Sequence, residues 1–177
     1  MDFSHEEHLI TVVARLLDGV GNVAVGMASP IPGSGALLAR ELSGGLMRVS
    51  ILGGGTPQAW SDNGVELFDC AAQGRIDAFF LGGGQIDGQA NINLVGVGDY
   101  PHQRVRWAGS FGSAYLYFLV PRTILFRQEH TRRVLVPKVD FISAPGTSEP
   151  NIHRPGGPTA LVTDLCLFSF NATHRRF

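Results

Sequence analysis

The chain has 177 residues, 23 of them glycine and 10 proline, with 44% hydrophobic and only 16% charged residues. That balance excludes a disordered chain, which is charge-rich and apolar-poor, and the clustered glycines show no three-residue period, which excludes collagen. A net charge of −1 lacks the basic excess of a nucleic-acid binder, no run approaches the ~18 apolar residues of a transmembrane helix, and the length fits a single domain over 1–177.

Ser4 and Glu7 form a capping box ahead of Leu9, Ile10, Val13, Leu16 and Leu17, whose spacing predicts a helix stopped by Gly19. Asn22 to Gly26 reads as a buried strand. Pro30 and Pro32 mark a loop, and Ser34 to Leu42 a helix closed by Gly44 and Gly45. Met47 to Leu52 reads as a second strand running into the triple glycine Gly53, Gly54 and Gly55. Gly64 to Gln73 reads as a helix and Asp77 to Leu81 as a third strand, which runs into a second triple glycine, Gly82, Gly83 and Gly84. The alternation of helix and strand predicts an α/β fold with a mostly parallel sheet. In such sheets ligands bind beyond the carboxyl ends of the strands, and glycine there lets backbone approach a ligand closely. Further on, Asn91 to Gly98, Thr123 to Phe126, Val134 to Val139 and Ala160 to Phe170 read as extended, and Ser113 to Leu119 as a helix. Pro145 to Pro158 reads as a long loop.

The familiar local signatures fail. Gly19-Val20-Gly21-Asn22-Val23-Ala24 has the GxGxxA spacing but precedes a strand instead of linking strand to helix. There is no P-loop and no GxSxG elbow. The six histidines show no HxxxH or HExxH spacing, and no metal site is expected. Cys70 and Cys166 make neither a disulfide framework nor a CxxC pair. Asp2, His5, Glu6 and Glu7 do not fit a signal peptide, so a reduced, cytoplasmic protein is expected. Thirteen of the fourteen basic residues are arginine, the type suited to bidentate capture of carboxylate or phosphate.

The stretch Leu81 to Tyr100, LGGGQIDGQANINLVGVGDY, carries the most information. Its Gly82-Gly83-Gly84-Gln85-Ile86-Asp87 and Asn91-Ile92-Asn93 resemble the block that follows a strand in the β subunits of class I coenzyme A transferases, especially the glutaconate type. Arg106 to Ala114, with Gly109, Ser110 and Gly112, resembles a later glycine turn of that family. Pro32 to Arg40, with Ser34, resembles an early turn and helix, and Gly156 to Phe168 a C-terminal strand. The resemblance implies a three-layer α/β fold with helices on both faces of the sheet, like that of coenzyme A transferases and sugar-phosphate isomerases. It implies an α-type partner subunit in a heterodimer or heterotetramer, and a coenzyme A thioester as substrate with no permanently bound cofactor. It implies substrate or oxyanion contacts at Gly53, Gly54, Gly55, Gly82, Gly83, Gly84, Gln85, Asp87 and Asn91, and coenzyme A contacts at Ser34, Arg106, Gly109, Ser110 and Gly112. A second reading of Asp87 and Asn91 is that they organise the turn before Ile92, because Asx side chains bond nearby backbone. Arg104 and Arg106 equally fit an exposed strand face alternating with Val105 and Trp107.

The chain departs from the family at one decisive place. The family's catalytic glutamate turn belongs at the end of the strand Met47 to Leu52, yet no acid stands between Glu41 and Asp62. Glycine near Gly53 and Gly54 has no side chain to acylate, so the catalytic residue of this chain is unknown and the glutamyl-coenzyme A route is closed on it. Either the partner supplies catalysis, or the pair no longer transfers coenzyme A. One branch of the family, whose β subunits also lack the glutamate, opens a carbon ring in CoA-linked products of steroid degradation. The resemblance favours that hydrolase, over a true transferase or a non-catalytic module that binds coenzyme A esters. Family β subunits also run on past the position of Phe177, so a short or truncated member is expected.

Overall fold

In a computed structural model, residues 2–53 and 64–177 are described. The first helix, α1 (His5–Leu16), starts where the sequence places it. Ser4 Oγ accepts from Glu7 N at 3.2 Å, and Glu7 Oε2 accepts from Ser4 N at 2.7 Å. Two N–H groups that the first turn cannot satisfy by itself are thereby paired. Strand β1 (Asn22–Val25) follows, then α2 (Pro30–Leu42), β2 (Arg48–Ile51), α3 (Gly64–Ala72) and β3 (Ala78–Leu81).

These elements make up the first of two compact units, Met1–Phe80. Its three strands are parallel in the order β3-β1-β2, with Val23 beside Val49 on one side and Ala78 on the other. The centre of β1 is fully buried, as a parallel strand covered on both faces must be. Asp77 Oδ2 accepts from Gly21 N at 3.0 Å and Asn22 N at 2.8 Å, tying the entrance of β1 to that of β3. Helix α2 lies against α1 at Gly35, where a Cβ would run into the side chain of Val13. It lies against β2 at Gly33, where a Cβ would sit 3.3 Å from Ile51 Cδ1.

The loop expected at Pro30 and Pro32 is instead the first turn of α2. The first four N–H groups of a helix have no partner within it, so proline loses nothing there, and its fixed φ suits N1. The helix therefore begins at Pro30, not at Ser34.

The second unit, Leu81–Phe177, holds β4 (Gln85–Asp87), β5 (Ile92–Asn93), β6 (Gly96–Val97), β7 (Val105–Arg106), α4 (Ser113–Leu119), β8 (Arg122–Phe126), β9 (Leu135–Val136), β10 (Pro158–Val162) and β11 (Leu167–Ser169). Strands β8 and β10 are parallel, and β11 joins β10 antiparallel. Strand β4 pairs antiparallel with β5 and parallel with β9, and β6 pairs with β7. The architecture is α/β with a mixed, mostly parallel sheet, as the alternation of elements predicts.

Three extended runs are broken in ways that side chains explain. Asn91 to Gly98 divides because Asn93 Oδ1 accepts from Val95 N at 2.9 Å and Gly96 N at 3.3 Å, bending the chain. Ala160 to Phe170 folds back as a hairpin. Thr163 Oγ1 accepts from Cys166 N at 3.0 Å, and Thr163 N donates to Cys166 O at 2.9 Å. Of Val134 to Val139, only Leu135–Val136 is strand, because Pro137 has no N–H to continue the ladder. Phe79, Phe80 and Tyr117 are buried in the core, whereas Tyr115 is exposed. No helix among the described residues is long and apolar enough to cross a membrane.

Candidate functional site

In the first unit the carboxyl ends of β1 and β2 lie side by side. Leu52 N donates to Val25 O at 3.0 Å, extending the ladder one residue past β2. The next residue, Gly53, is exposed and takes φ +69°, a left-handed conformation that side chains rarely adopt. A Cβ there would sit 3.2–3.6 Å from the Met27 side chain, which is itself 72% exposed. Gly54 and Gly55 lie outside the described residues. Ser34 is exposed on α2. No acidic side chain stands on the described ends of these two strands, 22–29 and 48–53.

Helix α2 begins beyond β1, but its amino end is a poor anion cradle. Pro30 and Pro32 have no N–H, and Gly33 N is already given to Ser29 O at 2.9 Å.

In the second unit the residues 82–93 close on one another. Gln85 and Asp87 are buried and bind separate sets of partners. Gln85 Oε1 accepts from Asn93 Nδ2 at 2.8 Å and Asp140 N at 3.0 Å, while Gln85 Nε2 donates to Asp140 Oδ2 at 3.1 Å. The same Asp140 oxygen accepts from Gly98 N at 2.8 Å. Asp87 Oδ1 accepts from Gln89 N and Asn91 N, both at 3.0 Å, and Asp87 Oδ2 from Asn91 Nδ2 at 3.1 Å and Val139 N at 3.5 Å. Asn91 Oδ1 in turn accepts from Gly146 N at 3.1 Å. Asp87 and Asn91 thus organise the turn before Ile92.

The space beside Gly82, Gly83 and Gly84 is filled by the protein's own atoms. A Cβ at Gly84 would overlap the Trp107 indole, one at Gly83 would meet Ile92 Cγ2 at 2.9 Å, and one at Gly82 would meet Phe126 O at 3.3 Å. Of the three, Gly82 is exposed and Gly83 is buried. Of residues 106–112, Trp107 packs on this block at Gly84, and the others expected at the site have different partners. Arg106 is exposed and donates to Gln103 Oε1 at 2.8 Å. Val105 is 47% exposed beside it, so β7 shows no alternation of inward and outward faces. Gly109 has φ +99°, Ser110 O accepts from Ser113 N at 2.9 Å, and Gly112 is the N-cap of α4.

Two residues outside the expected set anchor the same unit. Asp140 is an isolated acid just past an apolar run, and that isolation was its one signal. Arg154 lies within the proline-rich loop. Its guanidinium donates to Gly156 O at 2.9 Å, Pro145 O at 2.9 Å and Tyr117 O at 3.1 Å, and stands 5.1 Å from the centre of the Tyr117 ring. Tyr117 is fully buried and its hydroxyl donates to Ala90 O at 2.9 Å.

Burial pushes the Tyr117 phenol far above its usual range, with Arg154 opposing the shift and Asp87 adding to it. The folded state therefore holds this proton more tightly than the unfolded chain. Its contribution to stability is complete below pH ~10, the ordinary tyrosine value, and is lost as pH climbs above it. In an alkaline titration the Tyr117 phenolate is expected to appear only together with loss of far-ultraviolet circular dichroism. Ionisation of all three tyrosines with native dichroism retained would contradict this.

The second unit also contains a cavity of about 620 Å³ beside β4 and β9. Leu135, Val136, Leu161, Phe168 and Phe177 supply apolar walls, and Arg132 and Arg176 line it as well. Asp87 and Gly88 form part of its wall.

Comparison with known proteins places this geometry. Residues 10–177 match the family model described as coenzyme A transferase. The chain is 38% identical over 111 residues to the β subunit of the 3-oxoadipate CoA-transferase of Pseudomonas knackmussii, a match covering 59% of this chain and 42% of that protein. It is 34% identical over 104 residues to the β subunit of the glutaconate CoA-transferase of Acidaminococcus fermentans, covering 55% of this chain and 38% of that one. The matched segments thus span less than half the length of either relative. Among solved structures, the decarboxylase AibA/AibB superposes with a TM-score of 0.82 at 26% identity, over 97% of this chain and 76% of that one. Rhodococcus jostii RHA1 IpdAB superposes with a TM-score of 0.85 over 100% of this chain and 77% of that one, a likeness of fold at 22% identity.

Proposed function

Because the chain belongs to the coenzyme A transferase family, we propose that it is the β-type subunit of a heteromeric cytoplasmic enzyme acting on acyl-CoA thioesters. Within that family the reading we favour is a ring-opening hydrolase in steroid catabolism, with its catalytic carboxylate on an α-type partner in a heterodimer or heterotetramer. Both curated relatives named above are β subunits of CoA-transferases.

One observation carries the preference for hydrolysis over coenzyme A transfer. The described carboxyl ends of β1 and β2 bear no acid, and at Gly53 a left-handed glycine stands just beyond β2. Coenzyme A transfer by the covalent route needs a carboxylate that attacks the thioester and carries the acyl group. Hydrolytic cleavage of a β-diketone needs only a base and water. The base takes a proton from water, the hydroxide adds to one ketone carbonyl, the carbon–carbon bond breaks, and the released carbanion is protonated. Backbone N–H groups at a glycine turn stabilise the oxyanion, and each such donor is worth ~2.7–4 kcal/mol. Gly53 in the first unit and, separately, Gly82, Gln85 and Asp87 in the second are the residues that we assign to substrate contact or its support.

A second reading has its own support in the likeness to the decarboxylase AibA/AibB at 26% identity. Loss of carbon dioxide also breaks a carbon–carbon bond without an enzyme nucleophile, so an acid-free strand end suits it equally.

The deciding experiment purifies the tagged chain from its native cells with whatever accompanies it. The complex is then given a CoA ester bearing a cyclic β-diketone in isotopically labelled water. Label in a new carboxylate supports the hydrolase, and release of carbon dioxide from a carboxylated CoA ester supports the decarboxylase. Transfer of coenzyme A between carboxylic acids by the unmodified complex would overturn both. Recovery of the chain alone, binding a CoA ester without turnover, would make it a binding module instead.

A further inference from the structure

The side chain that lies over Gly53 has no part in the reaction above, yet it stands where a substrate would arrive. Ligands of parallel sheets bind beyond the carboxyl ends of the strands, and Met27 is the second residue past the end of β1. Its side chain reaches sideways to the end of β2. A Cβ on Gly53 would sit 3.2 Å from Met27 Cγ, 3.3 Å from Cε and 3.6 Å from Sδ. The glycine at 53 thus meets two needs. It takes the left-handed φ of +69°, and it leaves the space beside the thioether clear. The rest of Met27 is open, with the residue 72% exposed.

A single exposed apolar side chain is ordinary on a protein surface, but the backbone holds this one in place. Ala28 takes φ +55°, a conformation that a residue with a Cβ seldom adopts. Ser29 Oγ donates to Met27 O at 3.3 Å, and Ser29 O accepts from Gly33 N at 2.9 Å in the first turn of α2. The chain after Met27 is thereby anchored to the helix. Non-glycine residues in such conformations persist where the surroundings impose them, and they concentrate at ligand sites. The chemistry of the two strand ends limits what can rest there. Gly26, Met27, Ala28, Ser29, Leu52 and Gly53 carry no charge, and the amino end of α2 lacks the free N–H groups of an anion cradle. A coenzyme A ester has an anionic end, its phosphates, and an acyl end. Only the acyl end suits a thioether surface without a cation beside it.

We propose that Met27 is a specificity-determining contact, the surface against which an apolar acyl group rests, with the coenzyme A phosphates directed away from the ends of β1 and β2. A thioether suits that task, because methionine is unbranched, polarisable and able to follow apolar bodies of different shape. The assignment rests on the reading of this chain as a subunit that takes acyl-CoA thioesters. It does not depend on which bond of the acyl group is then broken.

The test needs no variant and uses the protein as purified from its native cells, with octanoyl-CoA, acetyl-CoA and free coenzyme A as probes. Hydrogen peroxide converts an exposed thioether to its sulfoxide, and peptide mass spectrometry reads the product at each methionine. Octanoyl-CoA at about ten times its dissociation constant, measured by calorimetry, should slow oxidation of Met27 about tenfold, as occupancy dictates. Met47, 3% exposed, should oxidise slowly throughout and so reports an intact fold. Free coenzyme A at saturation should leave Met27 reactive. Met27→Ala should weaken octanoyl-CoA about tenfold and acetyl-CoA little, the difference being apolar contact, and Met27→Leu should restore the preference. Undiminished oxidation of Met27 under saturating octanoyl-CoA would overturn the assignment. So would equal protection by free coenzyme A, or protection before any probe is added, which would make Met27 a contact of the partner. A cyclic β-diketone CoA ester that protects Met27 but is left uncleaved would keep the contact and remove the hydrolase. A protein that binds no CoA ester would remove both.

Discussion

Replacing Asp87 with alanine is expected to lower the unfolding free energy by about 3–5 kcal/mol. The carboxylate is buried and accepts from three backbone N–H groups and one side-chain amide. Each buried donor left without an acceptor costs ~1–3 kcal/mol, and Asn91 and Val139 are both buried. Asp87→Asn should fall between, because it keeps one acceptor oxygen but turns an NH2 toward groups that are themselves donors. Urea denaturation measures both, and the midpoint should drop with an unchanged slope. An Asp87→Ala protein with its midpoint in place and its activity lost would show instead that the carboxylate serves substrate and not the turn.

The second large effect is expected at Arg154. Its guanidinium satisfies three carbonyl groups, those of Tyr117, Pro145 and Gly156, and lies against the Tyr117 and Phe118 rings. Arg154→Ala removes the packing of the stem along with those bonds, for a loss of about 2–3 kcal/mol. Arg154→Lys should recover little, because an ammonium group cannot span three carbonyls from one plane. The loss should also be local. Gly156 N donates to Phe118 O and Thr123 N to Gly157 O, so hydrogen exchange at those two amides should quicken more than exchange in β1. A lysine variant as stable and as protected as the parent would refute the role of the fork.

Much of the first unit is legible in its sequence because its cues are local. The Ser4–Glu7 box, the glycines after each helix and the short apolar strands each act within a few residues. The same local logic misleads at Pro30 and Pro32, where proline opens a helix as readily as it marks a loop. The second unit is harder to read because its determinants are distant in sequence. Asn93 breaks an extended run through its own side chain, and Gln85 depends on Asp140, 55 positions away. Nothing in the run Val134 to Val139 announces that the acid just beyond it closes over Gln85. Likewise the glycines at Gly83 and Gly84 suggest room for a ligand, and only the fold reveals Ile92 and Trp107 filling it. The absence of an acid near Gly53 is plain in the sequence, and its position beyond β2 comes from the structure.

The hydrogen bonds that join 85–93 to 134–146 also dictate an order of events during synthesis. Ile86 and Ile92 are buried through pairing with Leu135 and Ala144, and Asp87 receives Val139 N across 52 positions. At a translation rate of ~5–20 residues per second, the ribosome needs roughly 3–10 s to add the missing ~50 residues. For that interval the glycine-rich block is a nascent segment with its apolar side chains and backbone donors unpaired, while the first unit already has all its strands. Chaperones that survey emerging chains therefore have a defined stretch and a defined time window in which to meet this protein.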